Sequence, residues 1–60
     1  MKWPELRRKA GRNGWYLVRN GSDHDIYAHK EKDFQIQIGR YDSEEVKKGL
    51  SSKLKKQIGF

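Results

Sequence analysis

A small α+β domain with its elements in the order α-β-β-β-α follows from three features of this 60-residue sequence. Phe34-Gln35-Ile36-Gln37-Ile38 alternates apolar and polar without a fault, the period of a half-buried strand. Asn20-Gly21-Ser22-Asp23 separates two β-branched and aromatic runs, which is a hairpin-turn signal. Leu50, Leu54 and Ile58 recur at i, i+4 and i+8, the stripe of an amphipathic helix. At this length folding hides only ~60% of the surface the unfolded chain exposes, so the core is thin. Three antiparallel strands with both helices on one face is the economical packing, in a single domain spanning residues 1–60.

The elements follow in order. Pro4 suits the first turn of a helix, where its missing N–H is no loss. Glu5 to Gly11 are good helix formers, and Trp3, Leu6 and Ala10 fall on one side at roughly helical spacing. Gly11, Asn13 and Gly14 stop that helix. Trp15 to Asn20 reads as the first strand and His24 to His29 as the second. Alternation sets His24, Ile26 and Ala28 on one face of the second strand, with Asp25, Tyr27 and His29 on the other. Lys30-Glu31-Lys32-Asp33 makes a charged turn. In the third strand Phe34, Ile36 and Ile38 are expected to face the core, Gln35 and Gln37 to face water or a ligand, and Gly39 to break the strand. Ser43 before Glu44, Glu45 and Val46 reads as a capped helical turn. A last helix runs from about Leu50 to Ile58, with Gly59 closing it.

The net charge of +6 is unevenly spread. Residues 1–22 carry six basic side chains against Glu5, residues 23–45 three against seven acids, and residues 46–60 five lysines and no acid. Folded so that its ends meet, such a chain presents one positive face, and a polyanion suits that face because phosphate contacts release counterions. Solvated helix surfaces explain the same composition. Cysteine is absent, which removes disulfides, zinc–thiolate sites and a thiol nucleophile. The longest apolar run, Trp15-Tyr16-Leu17-Val18, is four residues against the ~20 that cross a bilayer. The first residues carry no apolar signal region, so a cytoplasmic location without membrane association is expected.

Few residues offer chemistry. Gly11-Arg12-Asn13-Gly14 fits the GXXG pattern of backbone-clamping loops, but a strand follows it at once, so it reads as a helix stop. His24 and His29 are five apart on one strand and point to opposite faces, which leaves no metal site of ordinary spacing and no expected cofactor. His24 follows a Gly-Ser-Asp turn at the mouth of a strand, where a histidine can move protons near neutral pH. A strand-end histidine without a task is the other reading. His29 is expected at the surface beside the charged turn. Lys53 and Lys56 lie one turn apart on the last helix, either as a phosphate-binding stripe or as a solvated face. With Arg8 and Arg12 of the first helix they form the expected phosphate-binding set.

Taken together, Gly14-Trp15-Tyr16-Leu17-Val18-Arg19, the Gly21-Ser22 turn with His24-Asp25-Ile26-Tyr27-Ala28-His29, Lys47-Lys48-Gly49-Leu50 and Leu54-Lys55-Lys56-Gln57-Ile58-Gly59-Phe60 resemble the HicA family of small toxins over essentially the whole chain. The resemblance implies a double-stranded-RNA-binding-like fold and a messenger-RNA-cleaving endoribonuclease, and a site with one acid–base group makes that nuclease a slow one. It places the one functional histidine at position 24 and implies neutralisation by a HicB-like antitoxin, with the free toxin a monomer. Three positions depart from the family pattern: Asp23 stands between Ser22 and His24, Tyr41 takes the place of a histidine after the third strand, and Leu50 replaces a threonine. RNA carries its own nucleophile in the ribose 2′-OH, so this reaction needs neither a metal nor a covalent enzyme residue. A non-catalytic double-stranded-RNA-binding module and an inactive HicB-binding remnant are the alternatives.

Overall fold

The computed structural model describes residues 1–60 and has the expected order of elements. Helix α1 spans Trp3–Arg12, strands β1, β2 and β3 span Tyr16–Asn20, His24–Ala28 and Ile36–Gly39, and helix α2 spans Lys48–Ile58. The strands form an antiparallel meander in the order β1-β2-β3. Trp3, Leu6 and Ala10 of α1 and Leu54 and Ile58 of α2 share one core with Trp15, Tyr27, Ile36, Ile38 and Val46, so both helices cover the same sheet face. Leu6 and Ile38 are wholly enclosed at its centre, and burying a side chain of that size contributes about 1.5–3 kcal/mol.

Period-2 alternation then fixes the uncovered face. Tyr27 belongs to the core and Ile26 does not, which sends His24, Ile26 and Ala28 to the side opposite the helices. Ile26 is nonetheless buried, between its cross-strand partners Arg19 and Gln37. The β1–β2 register slips between Leu17 and Arg19, so Val18 is the extra residue of a bulge. Every residue of β1 is exposed, including Tyr16, Leu17 and Val18, as befits an edge strand.

Two local expectations are corrected. The third strand begins at Ile36, and Phe34 lies ahead of it, 38% exposed, with its ring 5.7 Å from that of Trp15. The alternation of Phe34 with Ile36 is genuine, but the β2–β3 ladder stops at Tyr27–Ile36, and Trp15 fills the core at that end. Ser43–Val46 forms no helical turn. Glu45 instead bridges Lys2, the Val46 N–H donates to the Met1 carbonyl at 2.9 Å, and the N-terminal ammonium pairs with Glu45 at 2.8 Å. Glu44 accepts from Trp3 Nε1 at 3.3 Å, so tertiary partners have taken the acids that local capping would use. Both helices start or end a residue or two beyond expectation, and Leu50 sits at the exposed margin of the α2 stripe.

Candidate functional site

His24 opens β2 opposite Gly39 of β3, exposed on the helix-free face. The turn before it is closed by the Gly21 N–H donating to the His24 carbonyl at 2.7 Å. On the reverse face of the next residue, the buried Asp25 carboxylate accepts from Asn20 Nδ2 at 2.8 Å and from Arg40 Nε at 3.1 Å. The same guanidinium donates to the Gly21 carbonyl. The Asn20 hydrogen bond, joined by the bond and charge of Arg40, outweighs desolvation and holds the Asp25 carboxyl below its ordinary 3.8. One buried acid thus ties the turn, β2 and the end of β3 together directly behind His24.

The end of β3 is fixed from below as well. Arg7 of α1 donates to the Gly39 carbonyl at 3.1 Å and pairs with Asp42 at 3.5 Å. Gly39 also lets α1 pack this closely against β3, because a Cβ there would run into the Trp3 indole. Beyond Gly39, Tyr41 donates its hydroxyl to Asp23 Oδ1 at 3.3 Å. Asp23 and Tyr41, two of the departures noted in the sequence, are therefore in contact at the flank of His24.

His29 has a different environment from the surface position expected of it. Its Nδ1 accepts the Glu31 N–H at 3.0 Å, which leaves the proton on Nε2 to be donated to the Asn13 carbonyl at 2.8 Å. Its ring meets that of Trp15 edge-on, 5.3 Å between centroids. Half-buried and bonded at both nitrogens, it is a structural histidine.

The basic residues separate into pairs. Arg8 and Arg12 share the exposed side of α1, and Lys53 and Lys56 share the exposed side of α2. None of the four makes an ion pair, and no hydrogen bond or groove joins one pair to the other. Lys53 lines a groove of about 320 Å³ between α2 and the β3 edge, beside Gln35, Gln37 and Gln57. Where the helices approach each other, Lys9 and Lys55 lie 5.1 and 5.9 Å from the Phe60 ring centre. Two arginines escaped the sequence reading: Arg40, and Arg19, which the ladder sets on the His24 face opposite Ile26 without an ion-pair partner. A hairpin register would have found Arg19, whereas Arg40 reaches Asp25 only through the third strand.

The family model described as the HicA toxin of bacterial toxin–antitoxin systems matches residues 3–60. The chain belongs to the HicA toxin family. No curated protein matches it. As a HicA toxin it is one half of a toxin–antitoxin pair, and its α-β-β-β-α layout carries the single exposed histidine on the sheet face that the helices leave open. No helix of this toxin is long and apolar enough to cross a membrane.

Proposed function

We propose that this HicA toxin is an endoribonuclease that cleaves messenger RNA with His24 as its proton-transfer residue. The observation that carries the reading is the placement of His24: exposed, on the helix-free sheet face, at a turn anchored by Asp25 and Arg40. In the reaction the ribose 2′-oxygen attacks the adjacent phosphorus and the bond from phosphorus to the 5′-oxygen breaks. Neutral His24 takes the 2′-OH proton, and the resulting imidazolium can return a proton to the leaving 5′-oxygen. The products are a 2′,3′-cyclic phosphate and a 5′-hydroxyl. Arg19, on the same face and free of carboxylates, suits the charge that develops on the phosphoryl oxygens. General acid–base help of this kind is typically 10²–10⁴-fold, so the nuclease is slow, which suffices for a toxin acting on messages in its own cytoplasm.

Arg8, Arg12, Lys53 and Lys56 are the proposed phosphate contacts of the bound RNA. A HicB-like antitoxin with an acidic surface, drawn to a +6 protein, is proposed to cover His24, and the free toxin is proposed to be a monomer. The test compares the purified toxin with His24→Ala on one long message, with and without a chelator. Cleavage that survives chelation, ends in 2′,3′-cyclic phosphate and vanishes in His24→Ala supports the reading. Products with a 3′-hydroxyl, or full activity of the variant, overturn it. Retained RNA affinity with no cleavage at any toxin concentration would assign a non-catalytic binding module instead.

A further inference from the structure

A groove of about 550 Å³ lies at the far end of the His24 face, and nothing above gives it a task. Its apolar floor is Tyr16, Ala28 and Phe34. Tyr16 and Ala28 are cross-strand partners, and Ala28 shares the face of His24 by alternation along β2. The volume lies within the ~300–1,000 Å³ of small-molecule sites. Phe34 is held in place although more than a third of it is exposed, because its ring rests on Trp15. Trp15 is itself buried and donates its Nε1–H to the Ile58 carbonyl at 3.3 Å. The doubly bonded His29 ring closes the same wall. Phe34 and His29 are thus held in place before any ligand arrives.

The rim carries both kinds of hydrogen-bonding group. Lys30 and Lys32 supply cations, Asp33 an acceptor, and the Gln35 amide one donor group and one acceptor. No ion pair within the chain occupies these lysines or Asp33. An aromatic-bearing floor edged by donors, acceptors and two cations matches one class of ligand: a nucleobase with its flanking phosphates. Stacking uses the π-face that every base has, while amide and carboxylate contacts distinguish base edges. Ala28 lies four strand positions from His24, about 13 Å at ~3.3 Å per residue. A single strand of RNA lying along the open face can therefore fill the groove and present a phosphodiester a few nucleotides away to the histidine.

We infer that this groove is a base-binding subsite for single-stranded RNA, and that it sets where on a message the toxin acts. Tyr16 and Phe34 stack the base, Gln35 and Asp33 read its edge, and Lys30 and Lys32 hold the adjoining phosphates. The inference rests on the ribonuclease reading for its consequence but not for its binding test. That test uses the His24→Ala chain, checked for intact RNA at the end of each titration, and short single-stranded oligoribonucleotides of A, C, G or U. Tyr16→Leu and Phe34→Leu should each weaken binding by roughly five- to a hundredfold with an unchanged salt slope, the range expected for losing a base stack. Gln35→Ala should change the ranking of the four oligonucleotides, and Lys32→Gln should lower the salt slope by about one. Should Phe34→Leu fail to fold, the exposed Tyr16 and Gln35 variants carry the test alone. Introduced with His24 intact, the same variants should move the cut positions on a long message. Oligonucleotide affinity unchanged in both Tyr16→Leu and Gln35→Ala overturns the subsite, as does loss of antitoxin binding without loss of RNA binding. If the oligonucleotide effects appear but the parent chain never cleaves, the subsite stands and the nuclease reading falls.

Discussion

Two histidines five residues apart on one chain have opposite surroundings, and single substitutions should separate them. His24 buries nothing in the core and no side chain depends on its ring, so His24→Ala should alter stability within about ±0.5 kcal/mol while abolishing cleavage and growth arrest. His29→Ala removes two hydrogen bonds, each contributing about 1 kcal/mol, and an edge contact with Trp15. Its melting temperature should fall by roughly 4–8 °C per kcal/mol lost, and its cleavage should persist. Circular dichroism melts alongside message cleavage read both effects; a His24→Ala chain that unfolds would make His24 structural instead. Gly39 offers a third test at this scale. A methyl group there meets buried Trp3, and over-packing of this kind costs about 1–3 kcal/mol, so Gly39→Ala should melt well below the parent.

Strand β2 is the element on which the site depends, and its stability is linked to pH through Asp25. The folded chain holds this carboxyl below its ordinary 3.8, so the folded state favours the ionised form. The stabilisation is therefore present above about pH 4 and is lost as pH falls through the depressed folded value. Melting temperature should drop along that acid limb. Asp25→Asn should lower it at neutral pH, flatten the limb, and bring the two curves together in strong acid. Parallel curves for parent and variant across the whole range would show that the Asn20–Asp25–Arg40 clamp contributes nothing. Edge strand β1 is the counterpart: exposed throughout and bulged at Val18, it supplies the open face with Tyr16 and Arg19 and adds Asn20 to the clamp.

At the scale of the molecule, the proposed contacts with RNA and with the antitoxin draw on one +6 surface. Of its 14 lysines and arginines only Arg7 and Arg40 form ion pairs with carboxylates, which leaves most of the charge available to a polyanion. Reversing Lys53 and Lys56 to glutamate should weaken RNA binding almost independently of sequence and lower the salt slope by about two, if each contacts a phosphate. An unchanged slope would put the phosphate path elsewhere, with Arg19, Lys30 and Lys32 of the open face next to be tested. Inhibition by occlusion makes a separate demand. A purified complex with the antitoxin should cleave no RNA, and a complex that cleaves as fast as the free toxin would refute it.

What the sequence determined by itself is what short-range geometry controls. Backbone repeats and turn chemistry act within a few residues, so the five elements, the Asn20–Asp23 turn and the division of β2 into a His24 face and a Tyr27 face were all legible. Only the tertiary structure decided which of those faces is covered, because that choice belongs to helices at the two ends of the chain. It took Tyr27 into the core in place of Ile26, left Phe34 outside, and gave Ser43–Val46 to the N-terminus instead of a helical turn. The same holds for the supports of the site. Arg40 meets Asp25 across fifteen residues, His29 meets Asn13 across sixteen and Arg7 meets Gly39 across thirty-two. Those partners are chosen by packing, since a buried donor or acceptor must be satisfied by whatever the fold brings within reach, and no local period records the choice.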